Sequence, residues 1–164
     1  MRKLTLPLFF LLLTVAVDQL CKLWAVDYLA DKTSVEVLGQ FVMLTLVFNE
    51  GGALGTSLGS STYYLISSIA ILIFVLYYIY AHRQTARVAY PLAFTAGGAV
   101  GNIIDRLRLG RVVDFIDVDF FDIDLLGYHL DRWWTFNVAD AAITCSILFL
   151  LASALMSRRR QQAQ

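Results

Sequence analysis

The amino-acid sequence predicts an all-α integral membrane protein in which four transmembrane helices carry a small extracytoplasmic β-sheet. The composition favours this class, since 59% of the 164 residues are hydrophobic and only 16% are charged, whereas a soluble domain is nearer half apolar and a quarter charged. An aromatic content of 13% excludes a disordered chain. The formal net charge is zero, so we expect no nucleic-acid partner. We treat residues 1–164 as a single membrane domain.

The helices are predicted from four apolar runs, each about as long as the roughly 20 residues that span a bilayer core. The runs cover about residues 4–24, 62–81, 88–107 and 136–157. Tyrosines at both ends of the second run are typical interfacial anchors. The first run follows a basic start, as a cleaved signal peptide would. It continues through Asp18 and Lys22 without a small-x-small cleavage site, and we therefore interpret it as a membrane anchor.

The distribution of charge predicts the orientation in the membrane. All 13 carboxylates lie between Asp18 and Glu50 or between Asp105 and Asp140, in or beside the loops 25–61 and 108–135. The other three polar segments contain bases and no acid; the bases are Arg2, Lys3, Arg83, Arg87, Arg158, Arg159 and Arg160. The positive-inside rule then places both termini in the cytoplasm and the two acidic loops outside.

The outer loops contain strand signals. The runs SVEVL (34–38) and FVMLTLVF (41–48) are separated by Gly39-Gln40, which predicts a β-hairpin. The glycine-rich run 49–55 would let backbone approach a ligand closely, or it is a loop that re-enters the second helix. Apolar and acidic residues alternate over VVDFIDVDFFDIDLL (112–126), which predicts one or two half-exposed strands.

Charged residues inside the predicted spans indicate a functional site, because they are costly in hydrocarbon. They collect near the outer ends of the helices. Asp18 and Lys22, at i and i+4, predict a structural ion pair. Further polar or small residues share one face of the third helix (Gly98, Asn102, Asp105 and Arg106) or of the fourth (Asn137 and Asp140). Gly97-x-x-x-Gly101 would let another helix approach closely. We expect a polar pocket between helices, open to the outer surface.

The chemistry that this pocket can support is limited by what the sequence lacks. The histidines, His82 and His129, lie in loops on opposite sides of the membrane, so no nucleophile triad is plausible. No zinc or calcium motif is complete, and we expect no metal. Asp140 and Asp114 remain, and two close carboxylates that share a proton can activate water and protonate a leaving group. The spacing is equally compatible with Asp140 capping the fourth helix and Asp114 lying on a solvated strand.

Five motifs in order closely resemble the lipoprotein signal peptidase (signal peptidase II) family. They are Asp18-Gln19-x-x-Lys22, Asn49-x-Gly51-Gly52-Ala53-Leu54-Gly55, Gly97-Gly98-Ala99-x-Gly101-Asn102-x-Ile104-Asp105-Arg106, Gly110-x-Val112-Val113-Asp114-Phe115-Ile116 and Phe136-Asn137-x-Ala139-Asp140-x-Ala142-Ile143. The resemblance implies a bacterial inner-membrane aspartic endopeptidase with its active site at the periplasmic face. Its substrates would be prolipoproteins, cut just before a diacylglyceryl-modified cysteine.

The resemblance also implies roles for single residues. Asp114 and Asp140 are the implied catalytic pair. The implied substrate-binding or orienting residues are Asn49, Gly98, Asn102, Arg106 and Asn137, and the implied structural polar residues are Asp18, Lys22 and Asp105. We expect no cofactor, membrane lipids as surroundings and a monomer. The acidic loop 117–131 is longer than we expect for the family, and its role stays open.

A non-enzymatic alternative is a small transporter or assembly factor with a buried proton relay. Transport favours ionisable groups at the middle of the membrane, whereas here they collect at one rim.

Overall fold

The computed structural model describes residues 2–52, 59–120, 123–125, 128–130 and 132–162. Its helices are α1 (Arg2–Leu29), α2 (Ser61–Ala81), α3 (Ala86–Leu109) and α4 (Val138–Gln162). Each overlaps one of the four apolar runs, and α1 continues five residues beyond the expected end at residue 24. Ser60 caps α2 by accepting from the backbone N–H of Tyr63, and Gly110 ends α3 in the left-handed conformation, at φ 72°.

Three helices in the described part of the chain are long and apolar enough to cross a membrane: Leu4–Leu29, Ser61–Ala81 and Val138–Ser157. The helix α3 is less apolar because it lies at the centre of the bundle, packed against α1, α2 and α4. Its buried positions are mostly small residues, such as Ala89, Ala93 and Ala96. A helix that is covered by its neighbours needs close packing more than a lipid-compatible surface.

The glycines of α3 allow two helices to approach it closely. A Cβ atom at Gly97 would lie 2.7 Å from the carbonyl oxygen of Leu11 in α1. A Cβ atom at Gly98 would lie 2.6 Å from the carbonyl oxygen of Ala139 in α4. At Gly101 the added carbon would overlap the carboxylate of Asp18. The predicted close approach at Gly97-x-x-x-Gly101 is thus confirmed, with α1 as the partner helix.

The sheet contains β1 (Val35–Leu38), β2 (Val42–Asn49) and β3 (Val112–Val118), antiparallel and in that order. The predicted hairpin at Gly39-Gln40 is confirmed, and Gly39 has the positive φ of 53° that favours glycine in a tight turn. The shorter strands β4 (Ile123–Leu125) and β5 (Tyr128–Leu130) form a separate antiparallel pair. They lie within the acidic loop 117–131, of which residues 121–122, 126–127 and 131 are outside the described residues.

A strand predicted within residues 112–126 is confirmed as β3, but its expected half-exposure is wrong, because β3 is almost entirely buried. Phe115 packs with Ala25 and Leu29 at the C-terminal end of α1. On the other edge of β3, Phe136 forms a bridge to Ile116, with N–H to oxygen distances of 2.8 and 2.9 Å. This bridge holds the start of α4 against β3. Of the glycine-rich run 49–55, residues 53–55 lie outside the described residues.

Candidate active site

Asp114 lies in the middle of β3 and only 2% of its surface is exposed. One oxygen, Oδ2, accepts a hydrogen bond of 3.0 Å from Nδ2 of Asn49. The other oxygen, Oδ1, accepts one of 2.6 Å from Nδ2 of Asn137. Asn49 reaches Asp114 because it pairs with Val112 at the end of the β2–β3 ladder. The alternative in which Asp114 lies on a solvated strand is therefore wrong, since its carboxyl group is buried and accepts hydrogen bonds from two amides.

Asp140 lies in the first turn of α4, three residues after the N-cap. Asn137 is the N-cap residue: its Oδ1 accepts from the backbone N–H of Asp140 at 2.9 Å. In return, Oδ2 of Asp140 accepts from the backbone N–H of Asn137 at 3.3 Å. This reciprocal pair is the arrangement of a capping box. The remaining oxygen, Oδ1 of Asp140, accepts from Nδ2 of Asn102 in α3 at 2.8 Å. Helix capping and participation in a polar site thus coexist in Asp140.

Asn137 connects the two carboxyl groups. It is fully buried, its side chain donates to Asp114, and its backbone donates to Asp140. Asp114 is buried and Asp140 is half-buried, so the two acids meet in a poorly solvated region between β3, α3 and α4. The structure brings together Asn49, Asn102, Asn137, Asp114 and Asp140, which had been inferred from separate motifs.

The electrostatics of Asp114 follow from this enclosure. Burial, and after it the nearby negative charge of Asp140, raise the pKa of Asp114 from its ordinary value to about 7. The hydrogen bonds from Asn49 and Asn137 act in the opposite direction, since they stabilise the ionised form. A carboxyl group with such a pKa can hold or release a proton near neutral pH, as acid–base chemistry requires.

A cluster of buried ionic groups lies beside the carboxyl pair. Nζ of Lys22 is 2.9 Å from Oδ2 of Asp18 and 2.9 Å from Oδ2 of Asp105. The predicted ion pair of Asp18 and Lys22 is confirmed, and Asp105 is a second acid on the same base. The other oxygen of Asp18, Oδ1, accepts a hydrogen bond from the backbone N–H of Ala139. Oδ2 of Asp105, which contacts Lys22, also accepts one from the backbone N–H of Val113. The cluster therefore holds α1, α3, α4 and β3 in place around the site.

One member of this cluster, Gln19, belongs to the first sequence motif but was given no role from the sequence. Nε2 of Gln19 donates to both acids, at 3.2 Å to Asp18 and 3.0 Å to Asp105. It also donates to the backbone carbonyl of Gly101 at 3.2 Å. Its position next to Asp18, inside an apolar run, is the signal that could have identified it, because polar side chains at such depth need partners.

Arg106 and Gly98 occupy the borders of the site in different ways. Nη2 of Arg106 donates to the carbonyl oxygen of Gly51 at 2.9 Å, and the guanidinium lies 5.9 Å from the ring centroid of Tyr64. Its charge interacts with both Asp140 and Asp114. Gly98, in contrast, lies at the packing contact of α3 with α4. Because glycine has no side chain, α4 can pack directly against α3 at this point, and this contact positions Asp140.

Comparisons with known proteins identify the family. A family model described as Signal peptidase (SPase) II matches residues 10–156. The lipoprotein signal peptidase of Pelodictyon phaeoclathratiforme is 35% identical over 150 residues, which cover 89% of this chain and 89% of the relative. The lipoprotein signal peptidase of Treponema pallidum is 37% identical over 156 residues, which cover 90% of this chain and 82% of the relative.

Solved structures have the same fold. A structure described as a bacterial membrane enzyme, at 2.3 Å resolution, matches with a TM-score of 0.76 and 28% identity, covering 93% of this chain and 88% of that chain. A second, at 1.9 Å resolution, matches with a TM-score of 0.70 and 29% identity, covering 91% and 92%. The chain belongs to the signal peptidase II family, the lipoprotein signal peptidases, which are aspartic peptidases that remove signal peptides from prolipoproteins.

Proposed function

We propose that Asp114 and Asp140 are the catalytic pair of this peptidase, and that it cuts prolipoproteins just before the diacylglyceryl-modified cysteine. The observation that carries the proposal is the contact of Asn137 with both carboxyl groups. It holds two acids from distant parts of the chain in one buried site. Two such groups cannot both ionise easily, so they share one proton.

The proposed reaction uses the two acids in turn. The ionised carboxylate accepts a proton from a water molecule as the water oxygen attacks the scissile carbonyl carbon. The protonated carboxyl group donates its proton to the carbonyl oxygen, which gives a neutral tetrahedral diol. In the second step the acid that took a proton from water gives it to the amide nitrogen, the other acid takes a proton from one hydroxyl of the diol, and the C–N bond breaks. The products are a signal peptide with a free carboxyl end and a lipoprotein with a free amino end. The reaction uses no cofactor.

The surrounding residues take supporting roles in this proposal. Asn49 and Asn102 each donate to one of the acids and so orient them. Arg106 lies at the edge of the site and would bind the backbone of the substrate. Gly98 keeps α4 close to α3, and thereby positions Asp140. Asp18, Lys22 and Asp105 hold the helices together.

The proposed topology has four membrane-spanning helices in one domain, with both termini in the cytoplasm of a bacterial cell and the site at the periplasmic face of the inner membrane. The helix α3 would also cross, since 24 residues extend over about 36 Å. Aromatic residues near the outer ends of the helices support this placement. Trp24 and Tyr28 stack at 5.2 Å, and Nζ of Lys32 lies 3.0 Å above the ring of Tyr28, as expected at a membrane interface.

The proposed position of the site explains why the substrate would need its lipid. A diacylglyceryl cysteine is anchored at the membrane interface, which is the depth at which the carboxyl pair would lie. The acyl chains can remain among membrane lipids and helices while the peptide bond reaches Asp114 and Asp140. Because the bond is held near the acids before the reaction, less entropy is lost on the way to the transition state. A single copy of the chain carries all of these residues, so the proposed enzyme is a monomer.

The central test is cleavage of a lipidated precursor by the purified protein. Asp114→Asn and Asp140→Asn should each lose activity by at least about 1,000-fold, because each removes a group that exchanges protons in the reaction. Asp119→Asn, which changes a more exposed acid at the end of the same strand region, is the matched control and should retain activity. Thermal unfolding should show that all three variants are folded. Substantial turnover by either of the first two would exclude the pair.

The requirement for lipid has its own test. A precursor without the diacylglyceryl group should be cut at least about tenfold more slowly, because it loses its anchor at the depth of the site. The two precursors should be compared at equal concentration in the same detergent or vesicles. Equal rates for both forms would contradict the proposed substrate recognition.

A further inference from the structure

Lys22 has a contact that an ion pair alone does not explain. It is only 3% exposed, and its ammonium group has three N–H donors. Two of them are directed to Asp18 and Asp105, each at 2.9 Å. The third is directed to a neutral group, Oδ1 of Asn102, at 2.8 Å. We propose that Lys22 is a positioning residue of the catalytic pair, acting through the side-chain amide of Asn102. This inference rests on the proposed function of Asp114 and Asp140.

The ammonium determines which way the amide of Asn102 faces. An ammonium group donates hydrogen bonds and accepts none, so only the oxygen of the amide can face it. The NH₂ group of Asn102 is thereby turned to the opposite side, where Nδ2 donates to Oδ1 of Asp140 at 2.8 Å. A flipped amide would place its NH₂ against Lys22 and its oxygen against the carboxylate of Asp140. Both of these contacts are repulsive.

The same oxygen extends the effect to the second acid. Oδ1 of Asn102 also accepts from Nδ2 of Asn137 at 3.2 Å. That nitrogen donates in addition to Oδ1 of Asp114 at 2.6 Å. The oxygen of the Asn137 amide is occupied by the backbone N–H of Asp140. Lys22 therefore orients two amides, and each of them presents a donor to one of the two acids.

The ammonium is itself held from several elements, as a positioning group must be. Asp18 is fixed by the backbone N–H of Ala139, and Asp105 by that of Val113. Gln19 donates to both acids, and the missing side chain of Gly101 makes room for Asp18. The position of Lys22 thus follows from α1, α3, α4 and β3 together. A shift of its nitrogen would change the orientation of both amides at once.

The test uses the full-length protein and a double variant that keeps the net charge of the cluster at its wild-type value. Removing Lys22 alone would leave two buried carboxylates without a base. The variant Lys22→Met with Asp105→Asn retains the net charge of −1 that Asp18, Lys22 and Asp105 carry together. Asp105→Asn alone is the reference. We expect the double variant to have a kcat about 10 to 100 times lower than the reference, with KM within about twofold, because the groups that it misplaces act on the reacting atoms.

A second comparison asks whether Lys22 acts through Asn102. In the presence of Asn102→Ala, the loss of Lys22 should reduce kcat by less than about threefold further, since the group that transmits its effect is gone. If the two substitutions lower kcat independently, so that their effects add as activation free energies, the inference is overturned. A loss expressed mainly in KM would also overturn it.

Folding is checked by thermal unfolding of each variant. If the Met variant does not fold, Lys22→Gln with Asp105→Asn replaces it. Glutamine keeps a buried NH₂ group but is one bond shorter, so it withdraws the donor from Asn102, and we expect the same loss of kcat. Failure of this inference is distinguishable from failure of the proposed function. Turnover by Asp114→Asn or Asp140→Asn defeats the catalytic pair, whereas additivity with Asn102→Ala defeats only the role of Lys22.

Discussion

Asn137 and Asp140 cap the same helix reciprocally, and the amide nitrogen of Asn137, which the capping does not use, donates a hydrogen bond to Asp114. The start of α4 therefore serves two purposes with one asparagine. Its oxygen stabilises the helix terminus, and its nitrogen orients a carboxyl group from a different part of the chain. This division between the two atoms of one amide allows stability and activity to be separated by mutation.

Replacing Asn137 by serine should remove activity while leaving the helix cap intact. A serine hydroxyl still accepts from the backbone N–H of Asp140, since serine is among the best N-cap residues. It does not reach Asp114 with a second donor. We expect kcat for the lipidated precursor to fall by about 100-fold, the scale on which loss of one positioned donor slows acyl transfer. The melting temperature should fall by a few degrees, because the buried carboxyl group of Asp114 loses a hydrogen-bond donor.

Asn137→Ala is the matched control for that experiment. Alanine removes the donor and the cap together, which costs about 1 kcal/mol of stability in addition to the activity. The melting temperature of this variant should be lower than that of Asn137→Ser by a few degrees. Wild-type kcat in the serine variant would show that the contact with Asp114 is not needed.

The pKa of Asp114 predicts an upper limit to the active pH range. Burial and the charge of Asp140 raise this pKa to about 7. Below that pH the pair keeps one shared proton and can serve as acid and base. Above it both carboxyl groups ionise, and no proton is available for the carbonyl oxygen of the scissile bond. We expect kcat/KM to fall about tenfold per pH unit on the alkaline side.

The measurement is a pH profile of cleavage from about pH 5 to pH 9, with the melting temperature recorded over the same range to exclude unfolding. The apparent pKa belongs to the pair rather than to Asp114 alone. A rate that stays constant to about pH 9 would contradict the shared-proton mechanism.

The elements of the fold that follow from local patterns could be predicted from the sequence. The four helices are continuous apolar runs, and the β1–β2 hairpin has a glycine at its turn. The failure at β3 has a physical cause. Alternation of apolar and acidic residues normally indicates a strand with one buried and one exposed face. Asp114 and Asp117 are nevertheless buried, because other side chains donate hydrogen bonds to them. Those partners are distant in sequence and leave no local signal.

The sequence could predict which residues belong to the candidate site, but not which contacts they make. Spacing places Asn102 and Asp105 near one another on α3, but it does not show that Lys22 contacts both. Likewise, the sequence identifies Gly98 as a small residue without showing that α4 packs against it. Periodicity shows which residues share a helix face, whereas the identity of the opposing helix follows from packing of the whole bundle.

Gly98→Ala should reduce both stability and activity. The added methyl group would lie 2.6 Å from the carbonyl oxygen of Ala139 and 2.9 Å from Cγ1 of Ile143. A backbone atom cannot move aside without moving α4, so we expect a stability loss of about 1 to 3 kcal/mol. The displacement also moves Asp140, and kcat should fall by at least about tenfold.

Gly59→Ala is the control for this prediction, because the atoms nearest to its added methyl group belong to the side chain of Tyr63, at 3.1 Å, and not to a backbone. It should change the melting temperature and kcat much less than Gly98→Ala. Similar effects of the two substitutions would show that the contact between α3 and α4 is not critical for the site.

Arg132 should stabilise the attachment of the segment that precedes α4 to the three-stranded sheet. Its Nε lies 2.9 Å from Oδ1 of Asp117, and its Nη1 donates to the carbonyl oxygen of Gln40 at 2.8 Å and to Oδ2 of Asp119 at 3.3 Å. Arg132→Ala leaves the carboxylate of Asp117 largely buried, with the hydroxyl of Thr45 as its remaining donor among the described residues. We expect a stability loss of about 1 to 3 kcal/mol in thermal unfolding.

The double variant Arg132→Ala with Asp117→Asn should recover part of that loss, because it removes the acid that the first substitution leaves without a cation. Arg108→Ala, at an exposed position near the end of α3, is the matched control and should change the melting temperature little. The activity of Arg132→Ala should fall less than that of Asn137→Ser, since Phe136 still pairs with Ile116 directly before the site. A melting temperature that Arg132→Ala leaves unchanged would show that these contacts do not hold the sheet to α4.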